Sequence, residues 1–145
     1  MRSTKNKTPF SEWLENAALD GLLHRGGVRL RHIKKIQTEL FVANNEEGDP
    51  LCIFEVGKDS DLCIEYEKFF LKKLPSWSLN IPGYTILYRK MEGRKERPII
   101  NFRVKKFTPK ARFVGDFSPR EFAGFLASTI AICRKKHEKE KLCKI

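Results

Sequence analysis

YTILYRKMEGRKERPIINFRVKKFTPKARFVGDFSPREFAGFLASTIAIC, residues 84–133, changes its hydrophobic period from two to about 3.6 partway along. Its first half reads as strands. Tyr84 to Met91 alternates, with Tyr84, Ile86 and Tyr88 on one face and Thr85, Leu87 and Arg89 on the other. A basic turn, Glu92 to Arg97, leads into Ile99 to Phe107. There Ile100, Phe102 and Val104 share a face opposite Asn101, Arg103 and Lys105. Ala111 to Val114 can add a short last strand. At Phe117 the pattern changes. Ser118 is placed to cap a helix, Pro119 suits its first position, and Glu121 completes a capping box. Phe117 and Phe122 stand at the positions of a hydrophobic staple. Phe122, Phe125, Leu126, Thr129, Ile130 and Cys133 then line one stripe, so the spacing predicts a helix to about Lys136.

Working back toward the start, the same reasoning yields more strands between helices. Thr8-Pro9 is a cap followed by proline, and Phe10, Trp13, Leu14 and Ala17 recur at helical spacing before Gly26-Gly27. A helix over 9–24 is expected. Val28 to Lys35 and Ile36 to Ala43 read as strands, with Arg29 and Arg31 facing away from Val28 and Leu30. The turn-rich Asn44 to Pro50 leads into an apolar strand, Leu51 to Val56. Asp59-Ser60-Asp61 can cap a middle helix carrying Leu62, Tyr66, Phe69, Phe70 and Leu74, ending before Pro75. The expected class is α+β: an antiparallel, curved β-sheet with an N-terminal helix, a middle helix and a long C-terminal helix. Residues 1–7 read as a flexible basic start, 8–136 as one domain and 137–145 as a charged C-terminal tail.

The chain has 145 residues, with 29 Lys plus Arg against 18 Asp plus Glu, a net charge of +11. At 41% hydrophobic residues it can build a core and is not a disordered basic tail. It has no apolar run long enough for a spanning helix and no signal-peptide pattern, so an intracellular chain with no membrane partner is expected. The charge is segregated. Residues 44–67 hold eight acidic groups and one basic, a net of −7; residues 89–112 hold ten basic and two acidic, a net of +8. A basic segment on strands presents its charges on a fixed surface, where they can neutralise phosphates and release counterions.

Catalytic and metal motifs find little support. Cys52, Cys63, Cys133 and Cys143 lack the close spacing of a zinc site; Cys133 and His137 lie one helical turn apart, but Cys133 belongs to the apolar stripe and His137 to the charged tail. None of His24, His32 and His137 has a nucleophilic setting, and no P-loop or G-x-G-x-x-G occurs. Neither cofactor nor metal nor catalytic residue is expected. A Mg²⁺ nuclease is the third alternative, through Asp49, Glu55, Lys58, Glu65 and Glu67. Here Glu55-Val56-Gly57-Lys58 misses the usual E-x-K spacing by one residue.

Aromatics accompany the basic strands. Phe102 fits a core position, whereas Tyr84, Tyr88 and the loop residue Trp77 are candidate rings for stacking on bases beside a charged sheet face. The strands, charged turn, basic strand and helix opening Phe117-Ser118-Pro119-Arg120-Glu121-Phe122 resemble the single-stranded DNA-binding domains of the transcriptional-coactivator and Whirly type. The strands-then-helix plan of residues 28–74 and 84–136 is similar to that of PUR-repeat proteins. The resemblance implies a curved sheet whose basic face binds unpaired strands, in a homo-oligomer. The expected function is therefore binding of single-stranded RNA or DNA without catalysis. The candidate site comprises Arg29, Arg31, Arg89, Lys90, Arg94, Lys95, Arg97, Arg103, Lys105, Lys106, Tyr84, Tyr88 and Trp77. The alternative is an interaction module, viral or regulatory, whose basic face docks an acidic protein partner.

Overall fold

Thr8 sets the first helix: its hydroxyl oxygen accepts the Ser11 amide at 3.1 Å, and Pro9 follows in the first turn. The computed structural model describes residues 8–34, 38–58, 81–91, 99–108 and 112–143. The element order is α1 (Pro9–Asn16), α2 (Leu19–Arg25), β1 (Arg29–Lys34), β2 (Thr38–Asn44), β3 (Pro50–Lys58), β4 (Gly83–Lys90), β5 (Ile99–Thr108), β6 (Arg112–Phe117) and α3 (Pro119–Cys143). The fold is α+β, as the sequence predicts. The expected middle helix at 59–74 lies outside the described residues.

The single helix expected over 9–24 is instead two. Phe10 and Leu14 repeat four apart, as do Leu19 and Leu23, and all four are buried. The step from Leu14 to Leu19 is five residues, which would turn Leu19 off the buried face of a continuous helix. Ala18, at φ +55° in the left-handed region, absorbs the mismatch. We therefore expect Ala18→Gly to stabilise the protein by about 1 kcal/mol, because glycine adopts this conformation without the Cβ penalty. A urea midpoint that stays put or falls would contradict this assignment. The stop at Gly26-Gly27 is as predicted. Gly27, at φ +82°, donates to His24 O at 3.0 Å, and Val28 donates to Leu23 O at 2.8 Å, the paired bonds of a Schellman ending.

The six strands form one sheet in sequence order. Every neighbouring pair is antiparallel except β3 and β4, which are parallel, so the sheet is mixed rather than antiparallel throughout. A parallel pair needs a crossover instead of a hairpin, and here the connection is residues 59–82. One face of the sheet is covered by the helices, with Phe10, Phe54, Phe102, Phe122, Ile86, Val104 and Ile130 in a common core. Phe102 stacks on Phe122 at 4.2 Å and meets Trp13 at 4.8 Å.

The capping box of α3 forms as read. Ser118 N donates to Glu121 Oε1 at 3.0 Å and Glu121 N to Ser118 Oγ at 3.2 Å. The bond from the Ser118 backbone amide is the foremost reason that the Glu121 carboxyl sits below its ordinary value, with the Ser118 side chain adding to it. Phe117 stacks on Phe125 at 5.0 Å and packs against the core that holds Phe122, whose ring stacks on Phe102. The helix also runs past Lys136 to Cys143, so the described part of the expected tail is helical. No residue beyond Cys133 is buried there, yet the acidic β2–β3 turn reaches it. Asp49 Oδ2 lies 3.2 Å from His137 Nε2, and Lys141 bonds Glu47. The bond to His137 is the chief reason that the Asp49 carboxyl sits below its ordinary value, with Asn45 adding to it.

Candidate nucleic-acid interface

Cross-strand partners share a face, so the register maps the sheet surface opposite the helices. One row runs Ile33, Leu40, Glu55, Thr85, Lys105, Phe113 from β1 to β6. A flanking row runs Gly57, Leu87, Arg103, Asp116, and a third pairs Arg89 with Asn101. On the other side, Arg31 aligns with Val42, Ile53 and Gly83. The middle of this second face is buried, formed by the apolar Leu40, Val42, Ile53 and Leu87 together with the polar Glu55 and Thr85. Its exposed charges lie toward the two sides. The expected basic face is thus divided in two. Arg29 and Arg31 are exposed on β1, and β5 is four strand spacings away, about 19 Å. Arg29 lines a separate polar cleft of about 460 Å³ with His24, Asn44, Asn45 and Glu46.

The β4–β6 side carries the denser group. Arg89 and Arg103 are exposed and Asn101 and Lys105 half-buried, all on the second face as the alternation predicts. Arg103 Nε donates to Asp116 Oδ1 at 3.0 Å, with both side chains nearly half exposed. A pair this open contributes at most about 1 kcal/mol. Its effect is to orient the guanidinium at the strand surface. Arg112 is exposed at the start of β6. Its partner is Lys106, so it lies on the helix-covered face, and Arg103 and Lys105 with Asp116 leave this patch at net +1.

Other predicted members are placed elsewhere. Lys106 faces the helix side, with its ammonium 5.9 Å from the Tyr84 ring centre. Lys90 is half-buried opposite Ile99 at the end of β4. Tyr84 and Tyr88 are corrected as stacking residues: both rings are buried, at 7% and 8% exposure, in the core beneath the helices. Alternation put them on one face correctly, but the three helices cover that face. Trp77, Arg94, Lys95 and Arg97 lie outside the described residues.

The exposed ring in this region is Phe113, 57% accessible, which sequence reasoning passed over. Plain alternation back from buried-side Phe117 would turn Gly115 and Phe113 toward the helices. Gly115 does keep the helix side opposite Val104, but the register shift at Val104/Lys105 pairs Phe113 with Lys105, while Val114 packs against the core. One extra residue reverses the face of what precedes it. The available signal was the β-favouring Phe113-Val114 pair ahead of Gly115, a residue common at bulges.

Among the described residues Asp49 and Glu55 of the nuclease set are not brought together. Asp49 is engaged by His137 at one end of β3, whereas Glu55 is buried on the second face six residues along, about 20 Å away. Lys58 is exposed at the far end of β3, and Glu65 and Glu67 lie outside the described residues. Among the described residues no group of three or more His, Cys, Asp or Glu could hold a metal ion. Cys52, Cys133 and Cys143 carry free thiols. Cys52 and Cys133 hydrogen-bond within the core, a contact that raises the first thiol and lowers the second. His32 stacks flat on Phe41 at 4.5 Å and places Nε2 2.8 Å from the buried Glu39 carboxylate, which makes it a structural residue of the α1–β2 junction. No helix among the described residues is long and apolar enough to cross a membrane. Comparison with protein-family models, curated proteins and solved structures found no match.

Proposed function

We propose that the chain binds single-stranded nucleic acid, RNA or DNA, through the β4–β6 side of its second sheet face, without catalysis. The observation that carries this reading is the placement of Asn101, Arg103 and Lys105 on one face beside Arg89. A rigid strand holds such cations at fixed spacing, so each can neutralise a phosphate and release its counterions. Arg103 offers a planar donor fork, and Lys105 a compact point charge. Asn101 adds an amide able to donate to phosphate or sugar oxygens. Single strands are favoured over duplex because no recognition helix is presented to a groove among the described residues, as α3 packs its apolar stripe against the sheet. The resemblance to coactivator, Whirly and PUR-repeat domains supports the same ligand and a homo-oligomeric assembly.

The test is a fluorescence anisotropy titration of the parent chain and an Arg103→Ala/Lys105→Ala double variant. Single-stranded and duplex RNA and DNA are compared across 50–200 mM salt. The parent is expected to prefer single strands. The variant should lose about 0.7 per phosphate contact, hence about 1.4, from the slope of log affinity against log salt. A parent chain that binds no oligonucleotide, or a variant with an unchanged slope, overturns the assignment. Capture of an acidic protein by the same patch in place of oligonucleotide would favour the interaction-module reading.

A further inference from the structure

Phe113 lies on β6, at the edge of the sheet, and is 57% exposed. It is the one aromatic ring more than half exposed among the described residues; Tyr84 and Tyr88 are buried. Its cross-strand partner is Lys105, which brings the two Cβ atoms to about 5 Å, with Arg103 on the diagonal at about 7–8 Å. The bulge opposite Val104/Lys105 turns this ring out, since Val114 takes the core position beside it. An exposed ring held beside two cations matches an unpaired nucleotide, whose base has a π-face and whose phosphate is anionic.

Resting on the binding reading above, we infer that Phe113 is the platform on which an unpaired base stacks, while Lys105 and Arg103 hold the adjoining phosphates. Paired bases are already stacked on their neighbours and cannot use the ring. Phe113 is therefore the residue that discriminates single strands from duplex.

The experiment titrates fluorescein-labelled oligo(dT) and oligo(U), and a duplex of equal length, with the full parent chain and with Phe113→Ala, Phe113→Leu and Phe113→Trp variants. Melting curves accompany each. Phe113→Ala and Phe113→Leu should weaken single-strand binding by about 5- to 150-fold while leaving the salt slope and duplex affinity unchanged. Phe113→Trp should keep the affinity, and its added indole emission should be quenched by oligo(dT) after subtraction of the parent signal. Leucine keeps the apolar bulk without the ring, so a Leu variant that binds like the parent overturns the stacking role. Parent-like affinity in Phe113→Ala overturns it also, while the binding reading survives through Arg103 and Lys105. A parent chain that binds no oligonucleotide overturns both. If the variants change only the oligomeric state by sedimentation, the ring belongs to a protein interface and the inference is wrong.

Discussion

Replacing Phe102 with alanine is expected to lower the free energy of unfolding by about 3–5 kcal/mol, the largest loss for any one substitution proposed for this chain. The ring is fully buried at the centre of β5. It stacks on Phe122 of α3 at 4.2 Å and tilts against Trp13 of α1 at 4.8 Å, with Phe10 edge-on at 5.9 Å. One side chain thus joins both helical layers to the sheet. Truncation removes the transfer free energy of the ring and leaves a cavity walled by three other aromatics, which cannot collapse without breaking their own contacts. Urea unfolding followed by far-UV circular dichroism measures the loss. A decrease below about 1.5 kcal/mol would show that the surrounding rings close the gap and that the packing is looser than described.

The second large effect is at Glu39. This side chain is 5% exposed on β2, an unusual place for a carboxylate. It is tolerated because its Oε1 accepts the Thr8 hydroxyl at 2.6 Å and the Ser11 hydroxyl at 3.4 Å, with His32 Nε2 at 2.8 Å. Thr8 is also the α1 cap, so the carboxylate ties the helix start to the strand. Glu39→Ala should cost about 2–4 kcal/mol, since buried polar partners lose a charged acceptor. Glu39→Gln keeps an acceptor and the volume and should cost less than half as much. Urea midpoints of the three proteins provide the check. Equal stability of the Ala variant and the parent would mean that α1 is anchored by Phe10 and Leu14 alone.

Local features were readable wherever the free energy that sets them acts within a turn or two. Ser118, Pro119 and Glu121 defined the start of α3, and Phe122 to Cys133 its buried stripe. Alternation divided Phe102 and Val104 from Arg103 and Lys105 correctly. The candidate site was legible only in part. Arg89, Arg103 and Lys105 emerged from charge and alternation. Tyr84 and Tyr88 were misread because a face shared by Tyr84, Ile86 and Tyr88 says nothing about which side the helices will cover. Phe113 was missed because a single bulge residue defeats an alternation argument, and a bulge depends on pairing with β5.

By itself, the sequence determined the α+β class, the stop at Gly26-Gly27, the capped C-terminal helix and the segregation of charge into an acidic 44–67 and a basic 89–112. Those follow from backbone preferences, side-chain period and local capping, which need no distant partner. Tertiary structure alone decided that β3 and β4 run parallel and that α1 breaks from α2 at Ala18 so that Leu14 and Leu19 can both be buried. It also decided that the basic residues divide between two sides of the sheet, that the acidic turn pins His137 and Lys141, and that Phe113 rather than Tyr84 or Tyr88 faces outward. Each of these depends on contacts between residues far apart in the chain, where burial of apolar area outweighs local preference.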